Sequence, residues 1–510
     1  MYSFLISLAA LIVGYIFYGK FVEKVFGPDP ARVTPAIAKA DGVDYIKMPD
    51  WKVFMIQFLN IAGTGPIFGA IMGAKFGPAC YLWIVFGCIF AGAVHDFLSG
   101  MISLRNDGAG LPQIIGTYLG NGMKKAMLVV CVLLLLLVGA VFVYSPALIL
   151  GNITGGTAQA TGIWIAAIFA YYIFATFLPI DKLIGKIYPF FAIALIFMAV
   201  SLFVCLLIKW PSLPEFWDGL ANRGPSVGVK GQPIFPYLFI TVACGAISGF
   251  HATQSPMMAR CLGNEKMGRP IFYGSMITEG IVALIWAAIS SYFFFDNGAA
   301  EFGSDLTASA PAVVTAVSKG WLGIVGGILA IIGVVAAPIT SGDTALRSAR
   351  LIIADAFKMQ QRTFGGRLTV SLPIFAICGA LLWFNISNED GFNIIWRYFG
   401  WINQTLSIFT LWAITVYLSK EHKDKKYYII SLIPAAFVTS VCTAYICVAK
   451  IGFGLPDSWL PFIGIFMYLF SCVAFFTWHD ADARGIRYYN RGWVSTKEAE
   501  KDNQGRKPQK

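Results

Sequence analysis

The chain has 510 residues, of which 57% are hydrophobic and 13% charged, and a formal net charge of +11. So few charges cannot cover the surface of a water-soluble protein of this length, which excludes the soluble, disordered and fibrous classes together. The positive excess sits in links between apolar stretches, which argues against a nucleic-acid partner and for orientation in a bilayer.

Thirteen apolar stretches approach the roughly 20 residues that cross a membrane. In chain order they are 3–18, 53–74, 79–104, 126–150, 162–178, 187–208, 234–258, 271–295, 321–341, 368–384, 398–418, 427–449 and 459–478, numbered here as segments one to thirteen. The runs are continuous and lack two-residue alternation, so they are expected to be helices and not barrel strands. The expected class is an all-α polytopic membrane protein of about thirteen spans. No Lys or Arg precedes segment one and no small-x-small cleavage site follows it, so it is read as an uncleaved span. The ten cysteines lie in or beside apolar runs without CxxC spacing, which suits packing and not a disulfide framework.

Placing the N-terminus outside and alternating leaves Lys75, Lys209, Arg223, Lys230, Lys319, Arg397 and Lys450 in outer links. The rest of the 38 Lys and Arg fall on the inner side, Lys182, Lys186, Arg362, Lys423, Arg487 and the tail cations among them. This asymmetry predicts a cytoplasmic C-terminus. Three pieces are expected not to span: a polar inner loop at 20–52, an interfacial helix at 343–361 with Leu346, Ile353 and Phe357 on its apolar face, and a polar tail after His479 with the composition of a mobile segment.

Segments two and seven carry an unusual load of Gly, Pro and small polar residues: Asn60-Ile-Ala-Gly63-Thr64-Gly65-Pro66 in one, and Ser248-Gly249-Phe-His251-Ala-Thr253-Gln254-Ser-Pro256 in the other. Gly weakens a helix and Pro removes a backbone donor, so both segments are expected to be discontinuous. Freed backbone groups must then line a protected cavity or bind something. The two lie five segments apart and enter from opposite sides, which is the pattern of a transporter built from inverted repeats. The expected organisation is 1–52 as a first helix and loop, 53–208 and 234–418 as the two repeats, 427–478 as two accessory helices, and 479–510 as a tail. The plainer alternative assigns these glycines to tight helix packing.

The end of segment nine, Ala337-Pro-Ile-Thr340-Ser341-Gly-Asp343, places hydroxyls beside an expected backbone break. Those are hard oxygen ligands for a small cation, as at the eighth core helix of the leucine-transporter fold. The alternative is a Ser/Thr helix end capped at the interface. Ionisable residues inside segments are costly and mark function. His95 and Asp96 in segment three, His251 in seven, Glu279 in eight and Asp343 at the end of nine are all placed toward the inner half, around one vestibule. A His beside a carboxylate suits proton relay, and the competing reading is a structural bond between helices, with Asp343 pairing Arg347. Gln57, Asn60, Gln254, Asn403 and Gln404 fit either substrate contacts or interhelical bonds.

Several strings resemble the carbon starvation protein A (CstA) family: Asn60-Ile-Ala-Gly-Thr-Gly-Pro-Ile-Phe-Gly69, Gly92-Ala-Val-His-Asp-Phe97, Gly249-Phe-His-Ala-Thr-Gln-Ser-Pro256, Ala337-Pro-Ile-Thr-Ser-Gly-Asp-Thr-Ala-Leu-Arg347 and, more weakly, Trp401-Ile-Asn-Gln404. The likeness runs from about residue 51 to about residue 412, and longer family members continue past this chain's end, so the chain reads as a short form. The resemblance implies a bacterial inner-membrane secondary transporter for pyruvate or peptides with a five-plus-five inverted-repeat core. Substrate is expected between the broken segments, near Asn60, Gly63, Thr64, Gly65, Ser248, Gly249, Thr253 and Gln254. Coupling is expected through a proton at His95, Asp96, His251, Glu279 or Asp343, or through a sodium ion at Ala337, Thr340 and Ser341. No other cofactor is expected, and the oligomeric state stays open. The competing classes are a membrane metalloenzyme built on His95, Asp96, His251 and Glu279, and an uncoupled channel.

Overall fold

The computed structural model describes residues 1–42, 44–177, 180–361, 363–388, 391–422, 425–484, 486–489 and 492–495. Outside the described residues lie the end of segment five at Leu178, the cations Arg362, Lys423, Arg491, Lys497, Lys501, Arg506, Lys507 and Lys510, and the side chains of Lys182, Lys186 and Arg487.

Ten of the described helices are long and apolar enough to cross a membrane, or eleven if one bent pair is a single span. The expected thirteen are not reached, for two physical reasons. Segment seven consists of two short helices, Ile234–Thr241 and His251–Ala259, neither able to cross alone. Segment eleven is a 31-residue helix, Gly391–Glu421, but Asn393, Arg397, Asn403 and Gln404 make it polar.

Segment two breaks as its Gly and Pro content requires. Asp50–Ile61 and Gly65–Ala74 meet at a 49° bend. In segment seven the backbone of residues 242–250 is unwound. Two π-helical turns, Gly87–Gly92 in segment three and Arg269–Tyr273 leading into segment eight, occupy the second helix of each expected repeat. Such turns rotate the residues that follow and recur at functional sites.

Three expectations are corrected. Segment nine is one helix, Ala310–Ala356, bent at Gly323 and helical through Pro338 to Asp343, so no backbone break exposes Thr340 and Ser341. The same helix absorbs most of the expected interfacial piece: Arg347 and Arg350 are buried while Phe357 is 74% exposed, the reverse of an amphipathic surface helix. The final helix extends from Leu460 to Ala483, and an antiparallel hairpin of Ile486–Tyr489 and Gly492–Ser495 follows it.

Among the described residues, two large hydrophobic cores and a small one at Ala444, Val448 and Leu460 hold the segments together. One large core joins segments one, two, three, six, eight, nine and twelve, and the other is built on Leu134–Val143 of segment four against segments five, ten and eleven and the end of the segment-nine helix. The links sort onto two faces. On one, Lys75 Nζ reaches Leu306 O (3.4 Å), Lys209 pairs with Glu301 (2.8 Å) and Arg223 lies over Phe295. On the other, Arg105 pairs with Glu265 (3.2 Å), Arg269 with Glu23 (2.7 Å) and Lys39 with Asp107 (3.0 Å). These groupings match the two sides assigned from charge.

Candidate functional site

The two broken segments lie against one another. Gly65, Gly69 and Gly73, spaced at i, i+4 and i+8 on the second half of segment two, face the start of the unwound stretch. A Cβ on Gly65 would lie 2.2 Å from Cys244 Sγ, one on Gly69 2.8 Å from Thr241 O, and one on Gly73 2.1 Å from Val242 Cγ2. From segment three, a Cβ on Gly92 would lie 2.3 Å from Ala246 O. The glycines therefore both break the helix and form close-packed faces, and the two readings weighed from sequence are one arrangement.

The unwound backbone finds its partners on segment eleven. Asn403 Oδ1 accepts from Phe250 N–H (2.8 Å) and from Ser248 Oγ (3.1 Å), and Asn403 O accepts from Gly249 N–H (3.1 Å). Asn403 Nδ2 donates to Cys244 Sγ (3.2 Å), and Gln404 Nε2 donates to Phe239 O (3.2 Å). Asn403 and Gln404 are thus interhelical brackets, a role that the sequence left undivided from substrate contact.

A cavity of about 310 Å³ opens on the face that carries Lys75 and Arg223 and reaches the two breaks. Its floor includes Gly65, Thr241, Ala243 and Cys244, and its wall includes Trp396 and Phe399. Lys230, Arg397 and Lys450 line it, and among the described residues no carboxylate does. A second cavity of about 100 Å³ opens on the opposite face at Thr253, Pro256, Arg260 and Ser348, beyond the other end of the unwound stretch. Asn60 borders a third space of about 10 Å³. Of the eight expected substrate residues, Gly65 and Thr253 therefore line the two larger cavities, while Gly63, Thr64, Ser248, Gly249 and Gln254 line none of the three. Asn60 Oδ1 and Nδ2, Thr64 Oγ1 and Gln254 Oε1 are buried with no hydrogen-bond partner among the described residues. Such atoms are costly to leave unpaired. Cys244, Arg397, Lys230 and Lys450 were not singled out as site residues from sequence, and only their contacts reveal them.

Four of the five expected ionisable residues come together. Asp96 accepts from two imidazoles: its Oδ1 lies 2.8 Å from His95 Nδ1 and its Oδ2 2.8 Å from His251 Nδ1. His251 Nε2 lies 3.4 Å from Glu279 Oε2. All four side chains are fully buried, so they form a chain inside the protein between segments three, seven and eight and not the walls of an open vestibule. The chain does not converge on a point: among the described residues, no group of three or more His, Cys, Asp or Glu side chains is placed to hold a metal ion. Asp343 lies apart from this cluster. Its Oδ2 sits 3.1 Å from Tyr188 Oη, and Arg347 lies one turn on within electrostatic reach.

The hydroxyls of segment nine are already engaged. Thr340 Oγ1 donates within its own helix toward Ala336 O (3.0 Å) and Ala337 O (2.9 Å). Ser341 Oγ donates to Leu59 O (3.0 Å), one of the carbonyls at the break of segment two. Tyr188 Oη lies 3.0 Å from Thr340 O, and Tyr172 Oη lies 3.0 Å from Pro338 O. The helix is continuous, yet it is bonded directly to the break that it faces.

The family model described as "Carbon starvation protein CstA" matches residues 1–161, 153–324 and 317–445, nearly the whole described chain. The chain belongs to the CstA family. Among its relatives, an uncharacterized membrane protein of Haemophilus influenzae is 46% identical over 339 residues, covering 58% of this chain and 91% of that one. The peptide transporter CstA of Escherichia coli is 26% identical, covering 88% of this chain and 81% of its own length. The pyruvate/proton symporter BtsT of Escherichia coli is 30% identical over 344 residues, 55% of this chain and 47% of that one. In fold, this CstA family member resembles the manganese transporter of Eremococcus coleocola (TM-score 0.54, 11% identity, 87% of this chain and 99% of that one). It also resembles a Na+-coupled sialic acid symporter (TM-score 0.53, 12% identity, 92% and 95%). The protein is therefore a predominantly helical secondary active transporter and not an enzyme, which removes the metalloenzyme alternative.

Proposed function

We propose that this CstA family member takes up a small carboxylate-bearing nutrient, pyruvate or a short peptide, across the bacterial plasma membrane by proton-coupled alternating access. The N-terminus would lie outside and the C-terminus in the cytoplasm, as the charge asymmetry requires. The face that bears the 310 Å³ cavity is then the outer one. One observation carries the reading: that cavity descends to the breaks of both discontinuous segments through a wall of Lys230, Arg397 and Lys450. Cations around an apolar-walled cleft raise the local concentration of an anion. At its floor, the half-helix that begins at Gly65 directs free N–H groups toward a bound carboxylate. Asn60, Thr64 and Gln254, with unpaired buried atoms, would complete the contacts as the segments rearrange.

A proton is favoured over sodium as the coupling ion. His95, Asp96, His251 and Glu279 form a connected acid–base chain, whereas the hydroxyls of Thr340 and Ser341 already donate to carbonyls. The relatives support both substrates, since the peptide transporter and the pyruvate/proton symporter of Escherichia coli align with this chain. The test uses purified protein in proteoliposomes with an imposed inward proton gradient, labelled pyruvate beside a labelled dipeptide, and sodium present or absent. Accumulation of either that collapses with an uncoupler supports the reading. Equilibration without accumulation would return the channel, and dependence on sodium alone would move coupling to segment nine.

A further inference from the structure

We propose that the coupling proton is held between His251 Nε2 and Glu279 Oε2, with Asp96 and His95 positioning that pair. This rests on the reading of the chain as a proton-coupled transporter. The assignment follows from counting hydrogens. An ionised carboxylate only accepts, and each oxygen of Asp96 lies 2.8 Å from an imidazole Nδ1, so both Nδ1 atoms carry hydrogens. A neutral imidazole that donates through Nδ1 presents a bare lone pair at Nε2. For His251, that lone pair faces Glu279 Oε2 at 3.4 Å.

With Glu279 ionised and His251 neutral, two lone pairs oppose each other in a fully buried site. The site also carries a second negative charge, and among the described residues neither carboxylate pairs with a Lys or Arg. One proton, on the carboxyl oxygen or on Nε2, removes the lone-pair conflict and one unit of charge together. Asp96 cannot take this role, because both its oxygens are committed. Neither oxygen of Glu279 has a hydrogen-bond partner among the described residues. The other titratable groups facing the pair are His95, Asp96 and the thiols of Cys88 in segment three and Cys244 in the unwound stretch. None of these is a fixed cation.

The position of the pair links the proton to movement. His251 begins the helix after the unwound stretch of segment seven, and Glu279 lies in segment eight. Proton loss sets a carboxylate against a lone pair across the joint between these segments, and proton gain draws them together. The occupancy of one position thus biases segment seven relative to its neighbour.

Glu279→Gln keeps the size of the side chain and removes the site. In proteoliposomes, with whichever labelled substrate the wild type exchanges, gradient-driven accumulation is expected to fall at least about tenfold. Counterflow, with unlabelled substrate inside, is expected to persist at a reduced rate and to lose its pH dependence. His251→Gln removes the other half of the pair from a different segment and is expected to behave alike. Asp96→Asn, acting through the imidazole, should displace the pH profile of counterflow toward acid by about one unit or more. Accumulation at the wild-type level by folded Glu279→Gln or His251→Gln overturns the assignment. So does wild-type pH dependence in either variant, and so does loss of counterflow in a monodisperse Glu279→Gln protein, which would make Glu279 part of the framework. Absence of saturable counterflow in the wild type would instead overturn the transport reading itself.

Discussion

Asn403→Ala tests whether the unwound stretch is held from segment eleven. The substitution removes the acceptor for Phe250 N–H and Ser248 Oγ and the donor to Cys244 Sγ, while the backbone bond from Gly249 stays. A buried N–H left without a partner costs about 1–3 kcal/mol. The serine hydroxyl can turn to another acceptor, so the amide dominates, and about 2 kcal/mol is the working figure. At 1.4 kcal/mol per factor of ten, local opening of residues 242–250 becomes about thirtyfold more frequent. Hydrogen–deuterium exchange on the purified protein reads this directly: peptides covering 242–250 should exchange about thirtyfold faster, with Ile429–Val448 unchanged as the internal reference. Ser248→Ala, which leaves the bond to Phe250 intact, should accelerate the same peptides by less than about fivefold. Exchange at 242–250 within a factor of two of wild type in folded Asn403→Ala would refute the bracket, and would mean that the stretch is held by the glycine faces alone.

Other outcomes follow from the same contacts. Gly65→Ala drives a methyl group into Cys244 and should abolish transport, and Gly65→Ala with Cys244→Gly should recover part of it; full activity in the single variant would show that the two breaks do not touch. Arg397→Gln should raise the KM for pyruvate about two- to fivefold with a smaller change in maximal rate, and the wild-type KM should rise with ionic strength; a KM indifferent to both removes the cationic wall from the uptake path. Tyr188→Phe removes the hydroxyl beside Thr340 O and Asp343, at a cost of about 1 kcal/mol; a thermal midpoint equal to wild type would show that the contact contributes nothing. Prolonged chelation should leave uptake unaltered, and restoration of lost uptake by a divalent cation would reopen a metal site.

Much of the fold was legible because lipid makes its demands through composition. Gly63, Gly65, Pro66, Gly245 and Gly249 announced both breaks by their density, since a single proline within an apolar run, as at Pro146, Pro373 and Pro434, leaves the helix continuous. The His–Asp–His–Glu group was visible as expensive residues gathered toward one vestibule, but its order as a buried chain, with Asp96 between two imidazoles and Asp343 left apart, was not, because side-chain pairing between helices has no signature in spacing. Segment nine misled for a related reason. Pro338 and Gly342 look like a helix end, yet the helix runs through both, and Tyr172 and Tyr188 of segments five and six reach two of its carbonyls, Pro338 O and Thr340 O. Segment eleven was counted among the apolar spans, although Asn393, Arg397, Asn403 and Gln404 give it the polarity of a helix that serves a cavity and a bracket. Cys244 carries no pattern of its own and gains meaning only from Gly65 and Asn403.

The face made by Gly65, Gly69 and Gly73 has a mechanical consequence. Most helices in a protein interior interlock, ridge into groove, and one cannot advance past another without lifting its side chains out of their slots. Here the teeth stand on one side only: Cys244 and Val242 seat short side chains against the bare Cα atoms of Gly65 and Gly73, and the peptide edge of Thr241 lies flat against Gly69. A slide along this face has two short side chains to lift and no interlocked pair. That shallow relief depends on the absence of a single carbon atom at three positions.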